Sequence, residues 1–291
     1  MVSMNVLDTA KRRQIVACLV EGNSVRATCR LTGAAKGTVL KLLVDLGNAC
    51  SEYHHKNVRG LTCKRVQCDE IWTFVGTKDK NVLPDEAGWG IGSVWTWTAI
   101  DAESKLIASY MVGTRDAGSA YEFMSDLAER LASRVQLTTD GHKAYLSAVF
   151  DNFGAKIDYA MLVKIYGDGA PGAGRYSPAQ CTGAVLQPIV GNPDMAHVST
   201  SYVERQNLTM RMGMRRFTRL TNAFSKKVDN LEHAIAIHFM HYNFCRVHQS
   251  LRVTPAMASG ISDHVWEIDE LVALLPKPTR AAWGSKITAQ R

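Results

Sequence analysis

The change of rhythm after residue 65 most constrains this chain. Before it, apolar residues recur at helical spacing. After it, short β-branched and aromatic runs alternate with amphipathic helical stretches. Val66 to Val75, Val94 to Ile100 and Leu106 to Val112 read as three successive strands. A helix follows, with Asp116 as cap and Ala120, Phe123, Met124, Leu127 and Leu131 inward. Val135 to Thr138 is a fourth strand, His142 to Phe153 a helix and Lys156 to Ile165 a further strand. Strands interleaved with helices predict an α/β domain whose mixed sheet is covered on both faces. Tyr166 to His197 is rich in glycine and proline and is expected to be a mobile insertion. A long helical region, with breaks, is expected from about Thr200 to Phe244.

The first 50 residues carry a different pattern. Thr9 to Glu21 places Ile15, Val16, Leu19 and Val20 on one helical face, and Gly22-Asn23 ends it. Ser24 can cap a second helix through Leu31, Gly33 supplies a tight turn, and a third helix runs from Ala35 to about Leu46. Helix, glycine turn, helix is the arrangement that sets a recognition helix into the DNA major groove. In that reading Lys36, Thr38 and Lys41 face DNA, and Lys11, Arg12, Arg13, Arg26 and Arg30 meet phosphates; the plainer alternative is a helical cap that packs on the rest. The domains expected are a helix-turn-helix unit at 1–50, a basic linker at 51–65, a catalytic domain at 66–260 with the insertion at 166–197, and a tail at 261–291.

A net charge of +7 favours polyanionic partners. The seven cysteines are scattered without a Cys-x-x-Cys pair, which argues against a disulfide framework or a thiolate zinc site. No apolar run reaches the roughly 18 residues a membrane span needs, so the expectation is a cytoplasmic protein with no membrane partner.

Most acids of such a chain are solvated surface groups, so a catalytic reading starts from unusual placement. Asp69 sits inside an apolar strand, where a charge is costly unless neutralised. Strand alternation sends Asp69 and Glu70 to opposite faces, so both are not expected to serve one site. Asp140 ends a strand before Gly141, a place equally suited to a functional group or a cap. Glu204 and Arg211 lie seven residues apart and share a helical face, which by spacing alone favours a solvent-exposed acid and base. The run Arg205, Arg211, Arg215, Arg216, Arg219, Lys226 and Lys227 is met by few acids. Asp101 is a reserve acid, Trp95 and Trp97 are expected in the core, and His233, His238, His241 and His248 form no convincing metal set.

Cys-Asp-Glu-Ile-Trp at 68–72, Thr-Asp-Gly-His-Lys-Ala-Tyr at 139–145 and Val-Glu-Arg-Gln-Asn-Leu-Thr-Met-Arg at 203–211 together resemble the Asp-Asp-Glu transposases of bacterial insertion sequences. The nearest resemblance is to the Insertion Sequence One family. Tyr242 to Leu251, ending in Thr254-Pro255-Ala256, resembles the closing segment of many such enzymes and integrases. The likeness covers roughly residues 5–260. It lacks one family feature, a Cys-rich zinc finger ahead of the helix-turn-helix.

The resemblance implies a ribonuclease-H-like catalytic domain preceded by an all-α helix-turn-helix domain. The first acid would lie on the first strand, the second after the adjacent fourth strand and the third on a later helix: Asp69, Asp140 and Glu204, both catalytic and metal-binding. It implies two Mg²⁺ ions, with Mn²⁺ as a substitute, Asp69 bridging both and Asp140 and Glu204 holding one each. Water would free a DNA 3′-OH that then attacks target DNA. Arg205, Arg211, Arg215, Arg216 and His248 would join Arg26, Lys36, Thr38 and Lys41 in contacting DNA. The partners would be double-stranded DNA (element ends and target) and a second copy, as homodimer or higher oligomer, in the bacterial nucleoid. The alternatives are a metal-dependent nuclease that cleaves without joining, and a helix-turn-helix regulator.

Overall fold

The computed structural model describes residues 7–85, 88, 90–167, 181–218 and 221–276. Three helices open the chain: α1 (Thr9–Val20), α2 (Val25–Thr32) and α3 (Lys36–Asn57). Asp8 caps α1 through the Lys11 amide, and Ser24 caps α2 through the Ala27 amide. Gly33 closes α2 in the left-handed conformation, φ 70°, which glycine adopts without a Cβ penalty.

The third helix is twice as long as its pattern suggested. It passes through residues 51–57, expected as linker, because Cys50 and His54 keep the buried stripe going. Buried His54 places Nε2 3.0 Å from the Ile107 carbonyl, so the end of α3 is anchored at the sheet's edge. Midway, α3 crosses a later helix at Gly47, where a Cβ would come 2.4 Å from the His233 Cβ. Only a glycine lets these two backbones approach so closely.

Among the described residues the sheet has six strands: β1 (Arg65–Val75), β2 (Gly92–Asp101), β3 (Ile107–Gly113), β4 (Gln136–Asp140), β5 (Asp158–Tyr166) and β6 (Cys181–Val190). Its order is β3-β2-β1-β4-β5-β6. The first three strands run antiparallel, β4 and β5 lie parallel to β1, and β6 returns antiparallel to β5. Strand β6 lies within the stretch expected to be a mobile insertion. Its Gly183 and Pro188 masked it; an edge strand tolerates both, since its outer backbone has no partner to lose. Residues 168–180, the rest of that stretch's glycine-rich core, lie outside the described residues.

Helices α4 (Ala117–Arg130) and α5 (Ala144–Phe153) cover the face carrying Cys68, Trp97 and Ala99. Helices α6 (Ser201–Gly213) and α7 (Val228–Phe244) cover the other, packing Val203, Met210, Leu231 and Phe239 on Ile71, Val75, Val94 and Ile100. Asn243 of α7 completes edge strand β3. Its Oδ1 accepts the Ile107 N–H at 2.9 Å, and its Nδ2 donates to the Ile107 carbonyl at 3.1 Å, satisfying a buried backbone position no strand reaches.

Residues 261–276, expected as tail, are packed. Two short helices, α8 (Pro255–Ala258) and α9 (Ile268–Ala273), follow α7. Leu271 is fully buried, and Trp266 meets Tyr53 and Phe244 ring to ring. Trp97 is fully buried as expected, whereas Trp95 stays partly exposed with the Arg115 guanidinium 4.8 Å from its ring. Asp101 accepts the Ser104 amide and hydroxyl in the β2–β3 turn and is a turn residue. No helix among the described residues is long and apolar enough to cross a membrane.

Candidate active site

Parallel register fixes the first pair of acids. Strand β1 pairs with β4 only from Arg65↔Gln136 to Gln67↔Thr138. Continued by two residues, that register sets Asp69 beside Asp140, the last residue of β4. The first strand runs on to Val75 while its neighbour has stopped.

That mismatch overturns one expectation. Side chains of Asp69 and Glu70 do leave opposite faces of β1. Where β4 ends, however, no backbone separates the two faces, and both acids are in the lining of the same cleft of about 950 Å³. Oxygens of Asp69, Glu70 and Asp140 can all lie within 4.8 Å of one another, the spacing of a metal-ligand set.

The third expected acid arrives on α6. Gln67, two residues before Asp69 and on its face, accepts the backbone amides of Tyr202 and Val203 at 2.8 and 3.2 Å. Those are otherwise unpaired donors of the first helical turn, and Thr200 itself makes no capping bond there. The glutamine thus ties α6 to the strand carrying Asp69. One turn on, Asn207 donates to Asp69 Oδ2 at 2.8 Å. Glu204 lines the same cleft but stands outside the tight trio, because Lys164 of β5 holds its Oε1 at 2.5 Å and the Thr200 hydroxyl donates to the same oxygen.

Two basic side chains therefore divide the acids. Lys164 takes Glu204. Arg115 takes Glu70, donating at 2.6 Å, and lies 3.6 Å from Asp140. Glu70 also accepts the Tyr145 hydroxyl at 3.0 Å, and its side chain has no exposed surface. Asp140 Oδ1 accepts the His142 amide at 2.9 Å, so this residue forms a turn as well as facing the cleft. Burial, then the charges of Glu70 and Asp140, pushes the Asp69 carboxyl up to about 7. Glu70 is raised as well, first by burial and then by Asp140. Burial makes ionising Asp69 and Glu70 together costly unless a cation is supplied.

The hard oxygen donors of Asp69, Glu70 and Asp140, with Glu204 beside them, fit a divalent cation such as Mg²⁺ or Mn²⁺. Asn207 adds a buried Oδ1 with no hydrogen-bond partner among the described residues. Sequence alternation sets Glu70 aside, and nothing in the sequence singles out Arg115, Lys164 or Asn207 as site residues. Only Asn207 left a trace: its spacing of three from Glu204 marks the same helical face.

The expected nucleic-acid residues separate into groups. Arg211 lines the acidic cleft, and Arg205 is exposed on α6. Arg26, Lys36, Arg215 and Arg216 line a second groove. Thr38 is half-buried, and Lys41 pairs with Asp45 at 2.6 Å. His248 sits in the turn after α7, bonded to Ser250, and does not line the acidic cleft. Arg219 lies outside the described residues.

The chain matches no protein-family model and no curated protein. Among solved structures it is similar to a piggyBac transposase in a synaptic complex with hairpin DNA, at 11% identity and TM-score 0.45, covering 94% of this chain and 72% of that one. It is also similar to Mos1 transposase in a strand transfer complex, at 12% identity and TM-score 0.25, covering 82% and 77%. A Mos1 paired-end complex shows 13% identity and TM-score 0.20, over 52% of this chain and 59% of that one.

Proposed function

We propose that this chain is a DNA transposase of the Asp-Asp-Glu type, with a ribonuclease-H-like catalytic domain behind a helix-turn-helix domain. The observation that carries the reading is the meeting of Asp69, Asp140 and Glu204 in one cleft, from adjacent strands and a later helix. That is the placement the motif resemblance implies for these residues. The same four motifs in the same order support an insertion-sequence origin, the Insertion Sequence One family being the nearest pattern.

Asp69 and Asp140, with Glu204 or Glu70, would hold Mg²⁺. When bound, the ions supply activation of the attacking oxygen and stabilisation of the leaving oxygen at a phosphodiester. The protein's own groups do the rest. Gln67 and Asn207 fix α6 against β1, so the acids stay in register. Lys164, Arg115 and Arg211 line the cleft and can receive the phosphates flanking the scissile bond. Two element ends must be paired, so the working form would be at least a homodimer on DNA.

The test incubates the protein with donor-end duplex, target plasmid and Mg²⁺, and looks for covalent joint molecules. Asp69→Ala, Asp140→Ala and Glu204→Ala should each abolish cleavage while leaving end binding intact. Cleavage without joint molecules would instead assign a nuclease. Retained Mg²⁺-dependent cleavage in Asp69→Ala would defeat the assignment.

A further inference from the structure

The β1–β4 pairing ends at Gln67↔Thr138, two residues short of Asp69 and Asp140. From there on, side chains join the strand of the first acid to the second, and Glu70 is at their centre. Its Oε1 accepts Arg115 Nε at 2.6 Å, and its Oε2 accepts the Tyr145 hydroxyl at 3.0 Å. The same guanidinium reaches on to Asp140, with Nη2 3.6 Å from Oδ2. The turn leading from β4 into α5 is therefore held at both ends. Glu70 takes its far end directly and its near end through Arg115.

Each partner is itself fixed. Arg115 follows Thr114, whose carbonyl accepts Trp97 Nε1 at 3.0 Å, and precedes Asp116, the cap of α4. Its guanidinium lies against the Trp95 ring. Tyr145 is fully buried and meets Trp97 edge to face at 5.3 Å. Asp140 Oδ1 is occupied by the His142 amide, which leaves Oδ2 for Arg115 and the cleft.

Charge decides what this arrangement does. An arginine alone beside Asp140 would pair with it and compete with any cation for its carboxylate. Here the nearer and wholly buried Glu70 carboxylate engages the guanidinium in a charge-assisted bond. The contact with Asp140 stays longer, so it orients that carboxylate without claiming it. Glu70 is also close enough to Asp69 and Asp140 to complete a ligand trio. Yet its side chain has no exposed surface and both its oxygens are engaged, whereas the Asp140 side chain is 35% exposed.

We infer that Glu70 and Arg115 are a positioning pair. Glu70 absorbs the charge of Arg115, so that the arginine's planar fork sets Asp140 beside Asp69 and leaves its Oδ2 open to a divalent cation. The inference rests on the metal-site reading above, and it makes Glu204, not Glu70, the third acid of that site.

The experiment uses Mn²⁺ with the full chain and no DNA. Titration gives the affinity, and the relaxation of water protons by bound Mn²⁺ gives the number of waters the ion keeps. Glu70→Gln preserves shape and can still accept from Tyr145, but it frees the Arg115 charge to close on Asp140. Affinity should fall about tenfold and the bound-water number should rise by about one. Adding Arg115→Met removes the competitor, while the thioether covers Trp95. This double variant should regain the wild-type water number and at least the wild-type affinity. Arg115→Met alone is no test, because it strands a buried carboxylate. Should the double variant misfold, Glu70→Gln with Arg115→Gln takes its place.

A pair that merely neutralised buried charge would leave both readouts unchanged in Glu70→Gln. A Glu70 that ligated the ion would leave the double variant one water above wild type. Either result overturns the inference. Asp69→Asn, which should lose Mn²⁺ binding, is the separating control. If it does so while the double variant keeps the extra water, the positioning role fails alone. If it binds Mn²⁺ as wild type does, the metal-site reading fails and the positioning role falls with it.

Discussion

Asp69→Asn is expected to make the metal-free protein more stable at pH 8. The Asp69 carboxyl moves from its ordinary 3.8 to about 7 on folding, chiefly through burial and then through Glu70 and Asp140. A group raised in this way contributes stability that is fully present below the unfolded value and is lost as pH rises through the folded one. The window is therefore pH 4 to 7. A rise of that size corresponds to about 4 kcal/mol, and water reaching the open cleft reduces it to roughly 2. Asparagine keeps the shape, can accept the Asn207 bond through its own oxygen, and never ionises. Its advantage should be about 2 kcal/mol at pH 8, or around 4 °C in melting temperature, and under half of that at pH 5. Thermal melts in EDTA at the two pH values measure it. Saturating Mn²⁺ should reverse the order, because a ligand at about 100 times its Kd adds roughly 2.7 kcal/mol to the protein that binds it. An advantage for asparagine that is the same at pH 5 and pH 8 would refute the reasoning.

Lys164→Met removes the cation that holds Glu204 away from the other acids; Mn²⁺ affinity, measured by titration calorimetry without DNA, should tighten several-fold, about 1 kcal/mol. Asn243→Ala leaves the Ile107 amide without its partner at a buried edge and should cost about 2 kcal/mol in urea unfolding. Gly47→Val drives a side chain into His233 and should cost about 3 kcal/mol by overpacking. Gly33→Ala, with open space but φ 70°, should cost only about 1 kcal/mol from backbone strain; equal melting temperatures for these two variants would show that α3 and α7 can separate freely.

Apart from the second half of α3, expected as linker, local chemistry alone determined the helix and strand identities as far as Phe153. The Ser24 and Asp116 caps, the Gly33 stop and the period-two runs at Val66 and Val94 are each read within a few residues, where backbone sterics and side-chain spacing decide. The motifs also pointed to Asp69, Asp140 and Glu204. What tertiary structure decided is who meets whom. Glu70 reaches the cleft because β4 stops at Asp140 while β1 continues, a difference in strand length that no periodicity encodes. Arg115 finds Glu70, and Lys164 finds Glu204, across 45 and 40 residues of sequence. Strand β6 forms because the β5 edge was free to pair, so alternation and freedom from glycine and proline were not required of it. Arg26, Lys36, Arg216 and Lys227 come from three separate stretches, and only the closeness of Gly22 to Gly213 gives them one groove. Spacing along a chain sets the face a side chain takes; packing sets what that face encounters.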